Sequence, residues 1–162
     1  MNAKLKLMKV LAENRKAYFN YQILDKFEAG IALTGQEVKS IKLGRISLAG
    51  SYVMLKQGPL GKMPEVFLIG ANVPPYQPKN APKDYDPERS RKLLLRKEEI
   101  KQLIGKNREK GLTLIPLIVY TKNTKIKIEF GLGKGKKKFD KREVIKKREQ
   151  NKEIERELKT RG

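Results

Sequence analysis

The chain has 162 residues, with 38 Lys or Arg against 18 Asp or Glu, a formal net charge of +20. Self-repulsion of that size opposes compaction, so the excess is read as the electrostatic footprint of a nucleic-acid binder. Zero Cys excludes disulfides and thiolate zinc sites and fits a reducing cytoplasm, while zero His removes the commonest general base and metal ligand.

This length suggests one domain plus extensions. Residues 1–13, MNAKLKLMKVLAE, alternate Lys with apolar side chains and build no signal-peptide core, so a mobile N-terminal arm is expected. From 17 to 27 the odd positions Ala17, Phe19, Tyr21, Ile23 and Phe27 are apolar and Asn20, Gln22 and Lys26 are polar. That period of two predicts a half-buried strand. Ala29-Gly30 permits a bend, and Thr34-Gly35-Gln36-Glu37 has the form of a capping box, so a helix should run from near Gln36 to Gly44. Lys39, Lys42 and Arg45 are spaced by three and share one side of it. Residues 51–56 (SYVMLK) and 65–70 (EVFLIG) read as strands around a GPLGKMP loop. Residues 73–88 hold five of the eight prolines and predict a long irregular loop, functional or mobile.

Residues 96–110 carry Ile100, Leu103 and Ile104 at helical spacing, with Gly111 as terminator. The run 112–121 (LTLIPLIVYT) is a strand in which Pro116 requires an edge or a bulge. After a turn at 122–124, Ile126, Ile128, Phe130 and Leu132 alternate with polar residues as a further strand. Five or six short antiparallel strands with intervening helices predict a mainly β fold, a small oligonucleotide-binding-type (OB-type) barrel over residues 14–133. Residues 134–162 are too poor in apolar side chains to offset their ordering entropy. They are expected to be disordered when free, with a composition that favours helix once a partner neutralises them. Thirty helical residues would span about 40 Å, enough to thread a channel.

Among candidate contact residues, Lys39, Lys42 and Arg45 are read as phosphate contacts. Glu28 is odd on a basic surface: it is either a plain surface carboxylate or an acceptor for a base edge or a neighbouring cation. Tyr21 falls on the apolar face and reads first as core. Leu94 reads as packing before anything else. No phosphate-cradling Gly loop, paired-carboxylate motif or cofactor fingerprint occurs, since Gly131-x-Gly133-x-Gly135 lacks the strand–loop–helix setting. An enzyme is not expected, nor a metal, cofactor, small-molecule substrate or membrane partner.

Several segments resemble the SsrA-binding protein (small protein B, SmpB) family. They are Asn14-Arg15-Lys16-Ala17, Phe27-Glu28-Ala29-Gly30-Ile31-Ala32-Leu33, Gly35-x-Glu37-Val38-Lys39-Ser40, Ser51-Tyr52-Val53 and Arg91-Lys92-Leu93-Leu94-Leu95. The tail adds Gly135, Lys137, Lys138, Asp140, Lys141 and Arg142. The resemblance implies an OB-type barrel with about three flanking helices that binds the transfer-RNA-like domain of transfer-messenger RNA (tmRNA, SsrA RNA). It would deliver that RNA to stalled ribosomes for trans-translation, the tail entering the decoding region and mRNA channel of the small subunit. It makes Asn14, Arg15, Lys16, Tyr21, Glu28, Lys92 and Leu94 RNA-binding candidates beside Lys39, Lys42 and Arg45. Two places depart from the family pattern: Phe139, where many members have His, keeps only a stacking role, and Arg96 stands where relatives often have His or Asn. A generic basic barrel protein of the translation apparatus is the alternative, and it predicts little preference among RNAs.

Overall fold

A computed structural model describes residues 8–109 and 111–161, side chains at 138–140 and 161 excepted. Seven strands are present among them: β1 (Met8–Glu13), β2 (Tyr21–Ile31), β3 (Tyr52–Lys56), β4 (Glu65–Ile69), β5 (Arg91–Leu94), β6 (Leu112–Lys122) and β7 (Lys125–Gly135). Four helices accompany them: α1 (Arg15–Asn20), α2 (Gly35–Lys42), α3 (Lys97–Lys106) and α4 (Lys138–Arg161). All pairings are antiparallel, in the order β1-β6-β3-β4-β5-β2-β7, and β7 also pairs with β6. That last pairing closes a six-stranded ring, so only β1 lies outside it. The expected barrel of five or six strands is the one observed, with β1 added.

The ring encloses one apolar core that includes Val53, Val66, Leu68, Leu93, Val119, Ile128 and Phe130. Phe27 and Phe130 face each other across β2 and β7 with ring centroids 5.5 Å apart, a stacked pair worth about 1 kcal/mol beyond its area. Pro116 sits where the β6–β7 register shifts, so the bulge removes the need for its missing N–H. A second, smaller cluster of Ala17, Ile115 and Leu117 lies under α1. It explains why β6 is buried on both faces.

Two local expectations change. Residues 15–20 are helical rather than the start of a strand. Three alternating apolar positions cannot separate a strand from a helical turn, and a six-residue helix is held by tertiary contact rather than propensity. Here Ala17 packs on Ile115 and Leu117, while Asn14 ties the helix to the β6 bulge through N–H to Leu117 O (2.8 Å) and Nδ2–H to Pro116 O (2.9 Å). Residues 8–13, expected within a mobile arm, pair with 118–122 of β6 as β1. Residues 1–7 of that arm lie outside the described residues. The sheet therefore begins at Met8, with β1 outside the ring, and β7 runs on to Gly135.

Helix α2 starts as read: Thr34 Oγ1 accepts from Glu37 N–H and Glu37 Oε1 accepts from Thr34 N–H, at 3.3 and 2.9 Å. Gly44 ends it with φ +77°, a conformation costly for any residue with a Cβ. Thr34→Ala is expected to lower unfolding free energy by about 1 kcal/mol in urea titrations. The proline-rich loop is pinned: Ser40 Oγ–H donates to Pro74 O (2.6 Å), Tyr76 N–H to Gln36 Oε1 (3.1 Å), and the Tyr85 hydroxyl to Val73 O (2.7 Å).

In place of the disorder expected of the free tail, α4 is a 24-residue helix, about 36 Å long. Opposite charges at i, i+4 such as Glu143/Lys147 and Glu155/Lys159 favour it. Its first turns lie against α1, where Arg148 covers the Phe19 ring at 5.7 Å and Lys141 and Val144 are half-buried. From Glu149 to Thr160 every residue is exposed.

Candidate nucleic-acid interface

The outward face of β2, β7 and β6 carries the carboxylate that the sequence singles out. Glu28 points away from the core and lies opposite Glu129. The hydroxyl of Tyr120, whose ring is buried, reaches across β7 and donates to Glu28 Oε2, and Lys122 Nζ approaches Oε1 at 3.4 Å. The Tyr120 hydrogen bond, joined by Lys122 and by the charge of Lys127, holds the Glu28 carboxyl below its ordinary 4.5 against a modest effect of burial. The Tyr120 phenol is pushed far above its usual 10, first by burial and then by the carboxylate. Glu28 therefore stays ionised and held in place, with 41% of its side chain exposed. Nearby, Lys26 lies 3.7 Å from Glu129, and Lys106 binds Asp25, whose carboxyl is lowered chiefly by that hydrogen bond. Glu28 and Glu129 thus each keep a lysine beside them on the outward face, while Asp25 and Lys106 lie on the parity of Phe27.

A different ion cluster sits inside. Arg91 and Glu37 are 0% and 1% exposed, and Arg91 Nε–H donates to Glu37 Oε2 at 2.5 Å. Arg91 also donates to Ala71 O (2.9 Å) and Pro87 O (3.0 Å), and Arg89 Nη2 to Glu37 Oε1 (2.6 Å). Burial pushes the Glu37 carboxyl up, but hydrogen bonds from Arg89, the Thr34 amide and Arg91 together bring it below 4.5. This cluster joins α2, the helix that carries Lys39 and Lys42, to β5 and the proline-rich loop. Sequence reading found Glu37 only as a cap. The available signal was parity, since Arg91 shares a face with the buried Leu93.

The other candidates fall in several places. Lys39, Lys42 and Arg45 are exposed, and Lys39 Nζ lies 5.7 Å from the Tyr76 ring centroid. Arg15 is exposed 3.8 Å from Glu13, and Lys16 is exposed beside it. The Asn14 amide is spent on Pro116 O, as described above, and Tyr21 is half-buried against the α1 cluster. Lys92 is exposed 3.5 Å from Glu65. Leu94 corrects its reading as a packing residue: it is 54% exposed, because β5 alternates and Leu93 takes the inward place. Arg96 is exposed at the start of α3 without a side-chain cap. In the tail, Gly135, Lys137 and Arg142 are exposed and Lys141 is half-buried; the Lys138, Phe139 and Asp140 side chains lie outside the described residues. Lys136 fastens the tail's root, its N–H donating to Asn20 O (2.9 Å) and its Nζ to Tyr18 O (3.0 Å). No helix among the described residues is long and apolar enough to cross a membrane.

A closed antiparallel barrel with exposed cations on several faces and a long basic helix defines a nucleic-acid-binding protein of the OB type. A family model described as SmpB protein matches residues 11–160. The chain belongs to the SmpB family. It is 51% identical over 153 residues to the SsrA-binding protein of Carboxydothermus hydrogenoformans, covering 94% of this chain and 98% of that one. It is also 49% identical over 151 residues to the SsrA-binding protein of a Sulfurihydrogenibium species, covering 93% and 95%. A solved structure described as "tmRNA-SmpB: a journey to the center of the bacterial ribosome" matches with a TM-score of 0.61 and 42% identity, over 78% of this chain and 85% of the other.

Proposed function

We propose that this chain is the RNA-binding adaptor of trans-translation: it binds the transfer-RNA-like domain of tmRNA and brings it to stalled ribosomes. The observation that carries the reading is the family match along almost the whole chain, on a barrel that presents a fixed carboxylate among lysines. Affinity comes from the net charge of +20 acting on phosphates, and selectivity from the shape of folded RNA. Bond-making belongs to the ribosome, and the protein works in the cytoplasm.

The barrel and the tail have separate tasks in this reading. Asn14, Arg15, Lys16, Tyr21, Glu28, Lys39, Lys42, Arg45, Lys92 and Leu94 face the RNA or set the groups that do. Gly135, Lys137, Lys138, Phe139, Asp140, Lys141 and Arg142 lead α4 into the decoding region and mRNA channel of the small subunit. The helix beyond Arg148 has no protein surface to rest on and frays in the free protein, and the ribosome supplies the counter-charge that orders it.

The test is binding to the transfer-RNA-like domain beside elongator transfer RNA across a salt series, with the full chain and a chain ending at Lys136. The full chain is expected to prefer the tmRNA domain, and the truncated chain to keep that preference while losing ribosome-dependent tagging. Unfolding free energy should differ between the two by less than about 1 kcal/mol, since one cation–π contact and a few half-buried residues are removed. Equal binding of both RNAs, with loss of all binding on truncation, would sink the adaptor reading in favour of a generic basic barrel.

A further inference from the structure

Beside the β3–β4 hairpin lies a groove of about 580 Å³, within the range of sites for small ligands and single nucleotides. Met63, Leu94 and Ile100 are among its apolar lining residues, and Lys62, Lys92, Lys97 and the single carboxylate Glu65 also line it. The three lysines come from three separate elements: the hairpin loop, β5 and the first turn of α3.

The hairpin loop is built rather than slack. Lys62 N–H donates to Pro59 O at 2.8 Å, and Gly61 turns with φ +73°. A Cβ on Gly58 would lie 2.2 Å from Met63 O, so the chain closes on itself there and only glycine fits. The loop thus holds Lys62 and Met63 at the rim before any partner arrives, which lowers the ordering cost of binding. Its tip residue, Leu60, is 103% exposed. Lys92 has Glu65 at 3.5 Å, whereas Lys62 and Lys97 have no acidic side chain within ion-pair distance among the described residues. The first turn of α3 lacks a side-chain cap and carries Glu98 and Glu99 beside Lys97.

We infer that this groove is a second contact site for the same RNA, taking one unpaired nucleotide with its base on the apolar lining residues and its phosphate between Lys62 and Lys97. The inference rests on the adaptor reading and deepens it. Two cations without acidic partners across an apolar slot suit a phosphate joined to a flat, weakly polar ring. A purely apolar protein helix in the same slot would leave both ammonium groups without counter-charges. Lys92 and Leu94, already candidates, line the groove and make it continuous with the rest of the interface.

Filter binding of the transfer-RNA-like domain to the full chain across a salt series tests this. The variants are Lys62→Ala/Lys97→Ala, the control pair Lys79→Ala/Lys83→Ala on the proline-rich loop, and Glu28→Arg. A photoreactive residue at Leu60 reports proximity, since full exposure there leaves the fold undisturbed. The groove pair is expected to bind roughly tenfold more weakly, and to lower the log–log salt slope by about 0.7, the value for one phosphate contact on a single strand. The control pair keeps near-wild-type affinity, and Leu60 cross-links to an unpaired nucleotide. Wild-type affinity in the groove pair while Glu28→Arg loses binding overturns the groove and leaves the adaptor reading standing. Equal loss in groove and control pairs also overturns it, as does a cross-link to protein alone. If neither the groove pair nor Glu28→Arg changes binding, the groove is overturned, and the adaptor reading is decided separately by the comparison with elongator transfer RNA.

Discussion

Arg91→Ala is expected to lower the unfolding free energy by about 3–5 kcal/mol, the largest effect of any single change in the barrel. The substitution strands the Glu37 carboxylate in the interior, removes the Arg91 donor from the Ala71 carbonyl and leaves Pro87 O with the Val73 amide as its donor. Arg89 still reaches Glu37 Oε1 but not Oε2. For a chain of this size the midpoint of thermal unfolding should drop by about 6–20 °C. Replacing both partners, as in Glu37→Leu/Arg91→Leu, should cost less than the sum of the single changes, because no buried charge remains uncompensated. The pH dependence gives an independent check. The Glu37 carboxyl is held below 4.5 in the folded chain, so its contribution is present above that pH and fades as pH falls through the lowered value. Glu37→Gln should therefore flatten the acid limb of the stability profile. An Arg91→Ala protein as stable as wild type would show that the cluster is decorative.

The second large effect concerns recognition, and its sign discriminates. On charge alone, Glu28→Arg adds two units to a net charge of +20 and should tighten every RNA complex slightly. On the present geometry, it removes the acceptor that holds the Tyr120 hydroxyl and aligns Lys122. The preference for the transfer-RNA-like domain over elongator transfer RNA should then fall by roughly ten- to a hundredfold, the loss of one specific contact. Glu28→Gln keeps an acceptor and should fall between the two. Tyr120→Phe leaves the carboxylate but frees its orientation, so a smaller loss of the same kind is expected. If Glu28→Arg binds both RNAs more tightly and keeps their ratio, the residue is only a local counter-charge.

Much of the architecture was legible from local chemistry. The Thr34–Glu37 capping box, the stop at Gly44, the bulge at Pro116 and the alternation of 126–132 each depend on neighbours a few residues away. So does the composition of the tail, whose charge spacing suits the helix observed there. Glu28 drew notice because a carboxylate is unexpected on so basic a chain, and the family resemblance gave that oddity a role.

What escaped the sequence reading depended on distant residues. Three alternating apolar positions at 17–21 read equally as strand or helix until Ile115 and Leu117 arrive to cover Ala17. Met8–Glu13 has too little apolar surface to order itself and is a strand only because β6 offers its free edge. Arg91 and Glu37 lie far apart in sequence, and the one local hint of burial is that Arg91 shares strand parity with Leu93. The partners of Glu28, Tyr120 and Lys122, come from the far side of β7, and Leu94 faces outward because Leu93 fills the core. The chain alone thus determined charge, caps, turns and strand parity, which are decided by short-range sterics and hydrogen bonding. Barrel closure, the buried ion cluster and the setting of Glu28 were decided only in three dimensions. Each is a contact between distant segments, and its energy exists only once the ring has closed and excluded water.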